Sequence, residues 1–206
     1  MNDRRFWRME RAAGLFLVLG FVTNIAGVAM FQARDGANGG APPSLAYYRW
    51  ERGLFMAAIV LTAIGFVLLE EYLRTSDGRV LARIGATTYV FAGIVGIAAE
   101  ALDLSGTGQS FYPLIVVYVV LAFLGQAAIG GALRQARLLA AWIGWATVVW
   151  NLAWLVVLPV VTPHDIYFPI LHGLMPLLIG APLLRRAPLS RSPTQSIGRQ
   201  ETGIPH

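Results

Sequence analysis

The second apolar run of the chain reads GLFMAAIVLTAIGFVLL over residues 53–69 and contains no charged side chain. Its apolar residues are continuous, without the alternation of a half-buried strand or the polar face of a surface helix. An α-helix rises about 1.5 Å per residue, so about 20 such residues cross about 30 Å of hydrocarbon. This run therefore predicts a helix that crosses a membrane.

Five more runs of the same kind lie on either side of this segment. Together they predict transmembrane helices at residues 12–33, 53–73, 84–104, 111–133, 138–161 and 166–184. The 206-residue chain is 56% hydrophobic and only 13% charged, whereas a soluble domain is about 25% charged. We expect an all-α fold, a polytopic six-helix transmembrane bundle forming one domain over residues 1–186. A disordered polar cytoplasmic tail is expected over residues 187–206.

The distribution of arginine predicts the orientation of this bundle, because cytoplasmic loops carry an excess of basic residues. Thirteen of the sixteen arginines fall in the two terminal segments and in the second-to-third and fourth-to-fifth connections. The other three, Arg34, Arg49 and Arg52, fall in the first connection, residues 34–52. Both termini are therefore expected to be cytoplasmic. The absence of lysine suggests a bacterial genome, so we expect a multi-pass protein of the plasma (inner) membrane.

Composition also excludes several kinds of chemistry. Without cysteine the chain has no thiolate nucleophile and no iron–sulfur ligand, and without lysine it cannot form a Schiff base with retinal. A membrane haem needs paired axial ligands, and His172 is the one histidine within a predicted helix. The basic residues form short clusters rather than a patch, which argues against nucleic-acid binding. No cofactor is predicted.

Two carboxylates in the third helix are candidates for function, since ionisable side chains inside a membrane are uncommon. At about 100° per residue, one face of this helix carries Glu100 and Asp103 together with small residues that allow another helix to approach closely. That face is expected to point into the bundle. The alternative is that both carboxylates sit at the outer interface or pair with Arg49 or Arg52.

The sixth helix holds another candidate, His172, near its outer end. Pro176 lacks the amide that would bond the carbonyl of His172, and Gly173 adds flexibility, so a kink with an unpaired acceptor is expected. Asn151 and Asn24 could extend a polar pocket inward. The alternative is a kinked helix whose histidine makes one interhelical hydrogen bond.

Three functions follow from these candidates. The first is a non-catalytic accessory component that contacts membrane lipid, a second copy or a membrane-protein partner. The second is a small proton-coupled transporter, channel or sensor that uses Glu100 and His172. The third is an outer-leaflet metal-dependent enzyme with His164, His172 and Glu100 as ligands, which no metal-binding spacing supports. The shortage of polar residues within the predicted helices favours the first, so the sequence leans away from an enzyme.

Overall fold

A computed structural model describes residues 3–38, 42–105, 112–162 and 168–185, with the side chains of residues 3–8 and 35–38 left out. The described residues form six helices and no strand. The helices, in chain order, are α1 (Asp3–Asn38), α2 (Leu45–Leu73), α3 (Arg79–Ser105), α4 (Tyr112–Ala136), α5 (Ala141–Val161) and α6 (Pro169–Arg185). The predicted all-α, multi-helix membrane fold is confirmed. The predicted polar tail lies outside the described residues.

Five of the six helices are long and apolar enough to cross a membrane: the part of α1 from Met9 to Arg34, and α2 to α5. The apolar helix α6 has 17 residues, which corresponds to about 26 Å of helix axis. Large apolar side chains cover the outer surface of the bundle, including Ile94 of α3 and Val156 of α5. By these features the chain is a multi-pass helical membrane protein.

Helix α2 begins at Leu45, well before residue 53, where the apolar run begins. Its start is set by Ser44, whose hydroxyl oxygen accepts a hydrogen bond from the amide of Tyr47 at 3.1 Å. Such an N-cap pairs one of the amides left open at a helix start. As a result, much of the predicted first connection is helical. Tyr48, Glu51 and Arg52 are held on a helix at one end of the bundle.

The helices pack in the spatial order α6–α1–α2–α3–α4–α5, with little direct contact between α5 and α6. The inward face of α3 is the one that its small residues predicted. Its buried residues include Tyr89, Ala92, Gly93, Gly96 and Glu100. This face brings the carboxylate of Glu100 into the protein interior.

Close helix crossings depend on pairs of glycines. A Cβ added to Gly180 of α6 would lie 2.8 Å from the carbonyl oxygen of Gly14 in α1. A Cβ added to Gly14 would lie 2.9 Å from the carbonyl oxygen of Gly180. Gly85 of α3 and Gly125 of α4 form the same kind of contact, at 2.7 and 3.0 Å. Since Gly14 is near the start of α1 and Gly180 near the end of α6, both lie at the same end of the bundle.

Gly180→Ala is expected to destabilise the protein by about 1–3 kcal/mol, because the added methyl group forces α1 and α6 apart. Gly53→Ala is the matched control, since a Cβ there would meet nothing within 4 Å. The control is expected to gain about 0.5–1 kcal/mol from helix propensity. Thermal unfolding in detergent measures both. Equal effects of the two substitutions would contradict the close crossing.

Candidate functional site

Charged side chains from α1, α2 and α3 meet at the end of the bundle away from Gly14 and Gly180. The guanidinium of Arg52 forms two ion pairs with α3, one to Glu100 (Nη1 to Oε2, 3.0 Å) and one to Asp103 (Nη2 to Oδ2, 3.0 Å). Of the two arginines considered as partners, Arg52 makes these pairs, whereas Arg49 is exposed. Planar guanidinium groups suit such two-pronged binding of carboxylates.

A third carboxylate, Glu51, completes this group and is fully buried. Its Oε2 lies 3.2 Å from Nε of Arg34, and its Oε1 lies 3.7 Å from Nε of Arg52. The Tyr48 hydroxyl donates a hydrogen bond to Asp103. The guanidinium carbon of Arg52 is also 5.1 Å from the centre of the Tyr48 ring. We call this set the arginine–carboxylate cluster: Arg34, Tyr48, Glu51, Arg52, Glu100 and Asp103.

The charges described in the arginine–carboxylate cluster do not balance. It has three carboxylates, from Glu51, Glu100 and Asp103, and two guanidinium groups, from Arg34 and Arg52. Three of these side chains are buried: Arg34, Glu51 and Glu100. An unbalanced charge is costly in such a place. A proton on one carboxylate would neutralise the cluster, so its composition suits proton exchange.

His172 of α6 lies deeper in the bundle, 4% exposed. Its ring is stacked on Phe123, with 4.3 Å between centroids, and on Tyr118, with 5.4 Å between centroids. Among the described residues, neither of its buried ring nitrogens has a hydrogen-bond partner. The alternative, an interhelical hydrogen bond from the histidine side chain, is not found among the described residues, where the ring stacks on aromatic side chains instead.

The ring of His172 borders a small, partly open space, which we call the histidine cavity. Its volume, measured as the space open to the centre of a water molecule, is about 20 Å³. By this measure one water molecule needs about 10–15 Å³. The cavity can thus hold about one water molecule. Its polar lining side chains come from α1, α2, α3, α4 and α6: Asn24, Thr62, Tyr89, Tyr118 and His172.

Side chains from three helices bind backbone carbonyls in the first turn of α6. The amide of Gln126 donates to the carbonyl of His172 at 3.1 Å, the acceptor that Pro176 was predicted to leave unpaired. Asn24 donates to the carbonyl of Pro169 at 2.7 Å, and the indole of Trp150 donates to that of Leu171 at 3.2 Å. These bonds fix the start of α6, which continues as one helix through Pro176.

Gly173 allows α1 to approach α6 closely at this level. A Cβ on Gly173 would lie 2.7 Å from Nδ2 of Asn24. Asn24 therefore lies beside His172 on the cavity wall, and the structure brings these two predicted residues together. Asn151 is also fully buried, but it donates to the carbonyl of Thr147 in its own helix at 2.7 Å and does not line the histidine cavity.

Two tyrosines lie on the wall of the histidine cavity. The hydroxyl of Tyr118 in α4 is hydrogen-bonded to that of Tyr89. Tyr89 is in turn hydrogen-bonded to Thr62. Glu100 does not line the cavity itself. Tyr118 thus stacks on His172 and packs against Gly96, one helical turn before Glu100.

The metal-site hypothesis gains no support within the described part of the chain, where no group of three His, Asp or Glu side chains could hold a metal ion. His164, one of the candidate ligands, lies outside the described residues. His172 and Glu100 belong to the two different sites described above.

Sequence reasoning missed the roles of Glu51 and Tyr118. The capping position of Ser44, directly after two prolines, would have placed Glu51 on a helix rather than in a connection. Tyr118 and Gln126 lie two turns apart in α4. As polar residues within an apolar run, they could have been recognised as candidates from the sequence. No pattern in the sequence, however, indicates which residues of α3 and α6 they contact.

No protein-family model, curated protein or solved structure matches the chain.

Proposed function

We propose that the protein moves protons across the bacterial inner membrane, as a small proton-coupled transporter or channel in which Glu100 and His172 exchange protons. One observation carries this proposal. The ring nitrogens of His172 are buried without a hydrogen-bond partner among the described residues, its side chain lines a cavity with room for about one water, and the arginine–carboxylate cluster has more carboxylates than guanidinium groups. Histidine suits this role because its ring nitrogens can both accept and donate a proton.

The proposed orientation places both termini in the cytoplasm and the arginine–carboxylate cluster at the outer face. It is supported by the arginines in the connections α2–α3 and α4–α5, at the same end of the bundle as Gly14 and Gly180. Exposed apolar side chains on α3 and α5 support membrane lipid as the surroundings. The proposal requires neither a cofactor nor a second copy of the chain.

A passive accessory component would explain the buried polar atoms less well. Oε1 of Gln126, Oδ1 of Asn151 and both ring nitrogens of His172 are buried without a hydrogen-bond partner among the described residues. Each such atom costs about 1–3 kcal/mol. A bundle that needed only to pack would be more stable with an apolar side chain in place of His172, whose ring makes no hydrogen bond among the described residues. Water or protons at these atoms would offset the cost, which favours a proton-handling function.

Ion pairs between helices close the outer end of the bundle. Arg52 ties α2 to α3 through two ion pairs, and Arg34 ties α1 to α2 through Glu51. Protonation of a carboxylate in this cluster would weaken its attraction to Arg52 and loosen the closure. In the proposed cycle, proton entry and opening of the outer end are therefore linked.

Proton flux into liposomes tests the proposal. Purified protein is reconstituted with a pH-sensitive dye inside, and a potassium diffusion potential drives protons inward. We expect flux above that of empty liposomes, reduced about 100-fold by either Glu100→Gln or His172→Ala, since each removes a proton-exchanging group.

Glu71→Gln is the matched control for this measurement. Glu71 is 45% exposed at the other end of α2 and pairs with Arg74 at 3.7 Å. We expect its flux to equal that of the unsubstituted protein. No flux from the unsubstituted protein, or equal flux in all three variants, would contradict the proposal and indicate a passive membrane component.

A further inference from the structure

We propose that Glu51 is the proton-binding site of the arginine–carboxylate cluster, and that it holds a proton while the ion pairs close the outer end of the bundle. Glu51 lies in the same cluster as Glu100, to which the proposed function assigns proton exchange. The role of this proton in transport rests on the proposed function, whereas its presence on Glu51 is measured without any flux.

The cluster needs one proton to be neutral. Its three carboxylates outnumber its two guanidinium groups by one. A buried carboxylate without a compensating charge costs far more free energy than a neutral carboxylic acid. One of the three carboxylates therefore binds a proton, and the contacts around each decide which one it is.

Glu51 is the carboxylate that is least stabilised as an anion. Its side chain is fully buried, and neither of its oxygens has a hydrogen-bond partner among the described residues. The nearest cationic atoms, Nε of Arg34 at 3.2 Å and Nε of Arg52 at 3.7 Å, are not in hydrogen-bonding geometry. An ionised carboxylate can accept about four hydrogen bonds, and such bonds favour the ionised form. Protonation therefore costs the least at Glu51.

Glu100 and Asp103 have the contacts that an ionised carboxylate needs. Nη1 of Arg52 donates a hydrogen bond to Glu100 at 3.0 Å, and its Nη2 lies 3.0 Å from Oδ2 of Asp103. Asp103 also accepts a hydrogen bond from Tyr48 and is 18% exposed, so water can solvate it. A proton on Glu51 leaves both ion pairs of Arg52 intact, and the outer end of the bundle stays closed.

The guanidinium group of Arg34 keeps other partners when Glu51 is neutral. Its central carbon lies 4.7 Å from the centre of the Phe31 ring and 5.6 Å from that of the Tyr48 ring. Aromatic faces attract a guanidinium group. The carbonyl oxygen of a protonated Glu51 is also still an acceptor for Arg34. Protonation of Glu51 therefore does not leave a buried cation without compensation.

The charged groups around Glu51 come from three helices. Arg34 belongs to α1 and Arg52 to α2, while α3 contributes the two carboxylates that bind Arg52. Helix α4 has one charged side chain, Arg134, in its last turn at the other end of the bundle. The tyrosines of these helices are neutral near neutral pH. The charge balance around Glu51 is therefore set by the cluster itself.

Infrared spectroscopy of the purified protein in detergent at neutral pH tests the proposal, because a carboxylic acid has a carbonyl band that a carboxylate lacks. We expect this band in the unsubstituted protein. We expect it to change frequency in Glu51→Asp, since the acid forms of glutamate and aspartate absorb at different frequencies. Glu100→Asp and Asp103→Glu are the matched controls. Both keep the number of charges in the cluster, and both are expected to leave the band in place.

A band that changes frequency in Glu100→Asp or Asp103→Glu, but not in Glu51→Asp, would overturn the proposal. A missing carboxylic-acid band in the unsubstituted protein would do the same. If Glu51→Asp does not fold, Glu51→Gln decides, because glutamine is neutral and similar in shape to the protonated side chain. Loss of the band with an unchanged melting temperature would then support the proposal. A fall in melting temperature as large as in Glu100→Gln would count against it.

The infrared measurement and the liposome assay fail independently. A band that changes frequency in Glu51→Asp, with no flux from the unsubstituted protein, would place the proton on Glu51 and overturn the proposed function. Flux that depends on Glu100 and His172, with no band that responds to Glu51→Asp, would overturn the proton site and leave the proposed function standing.

Discussion

Arg52→Met is expected to lower the free energy of unfolding by about 3–5 kcal/mol, the cost of removing one partner from a buried ion pair. Arg52 binds Glu100 and Asp103 at 3.0 Å each, and methionine would leave both carboxylates without a guanidinium partner. Such a loss is a large share of the total stability of a typical protein, about 5–15 kcal/mol. Unfolding of the detergent-solubilised protein by heat or by SDS measures it.

Arg49→Met is the matched control, an identical change at an exposed position of the same helix. Its effect is expected to stay within about 0.5 kcal/mol. Adding Glu100→Gln and Asp103→Asn to Arg52→Met removes the unbalanced charges and is expected to recover part of the stability. A similar loss in Arg49→Met and Arg52→Met would mean that water reaches the cluster and that its ion pairs contribute little.

The fold was predictable because the membrane restricts the possibilities so strongly. Inside hydrocarbon, each backbone amide and carbonyl must be paired within the chain, so a long apolar run with little charge forms a helix. The residues 53–69 are such a run, and they lie within α2. The inward face of α3 was predictable for a related reason, since its glycines and alanines leave space for a neighbouring helix.

The start of α2 was harder to predict from the distribution of charge. Arg49, Glu51 and Arg52 interrupt the apolar run, and hydropathy alone assigns such residues to a connection. The structure buries Glu51 because Arg34, on a different helix, lies beside it. That pairing offsets the cost of placing a carboxylate among apolar helices. The burial of Glu51 therefore depends on a partner in a different helix, which hydropathy does not indicate.

The candidate site was predicted in part. The sequence identified Glu100, Asp103 and His172 by their polarity, and Pro176 by the hydrogen bond that proline cannot make. It could not show that Arg52, rather than Arg49, binds the carboxylates, or that Tyr118 stacks on His172. These facts depend on which helices are neighbours, and the periodicity of a single helix carries no such information.

The contact between Gln126 and the carbonyl of His172 leads to the second large prediction. Gln126 is fully buried in α4, and its amide donates to that carbonyl at 3.1 Å. Gln126→Leu keeps a side chain of similar size but leaves the carbonyl without a donor. We expect a loss of about 1–3 kcal/mol in the free energy of unfolding, the cost of a buried unpaired polar group.

Combining Pro176→Ala with Gln126→Leu tests whether Pro176 is the reason that the carbonyl of His172 needs a donor from Gln126. Alanine at position 176 has an amide that can bond the carbonyl of His172 within α6, so Gln126→Leu should then cost less. We expect a coupling energy of about 1–2 kcal/mol between the two substitutions, within the range for residues that share a partner. The space left by the smaller alanine is the same whether glutamine or leucine occupies position 126, so it cancels in the double-mutant cycle. Strictly additive effects would mean that Gln126 stabilises α4 by packing alone, and that the proline has not created the need for its amide.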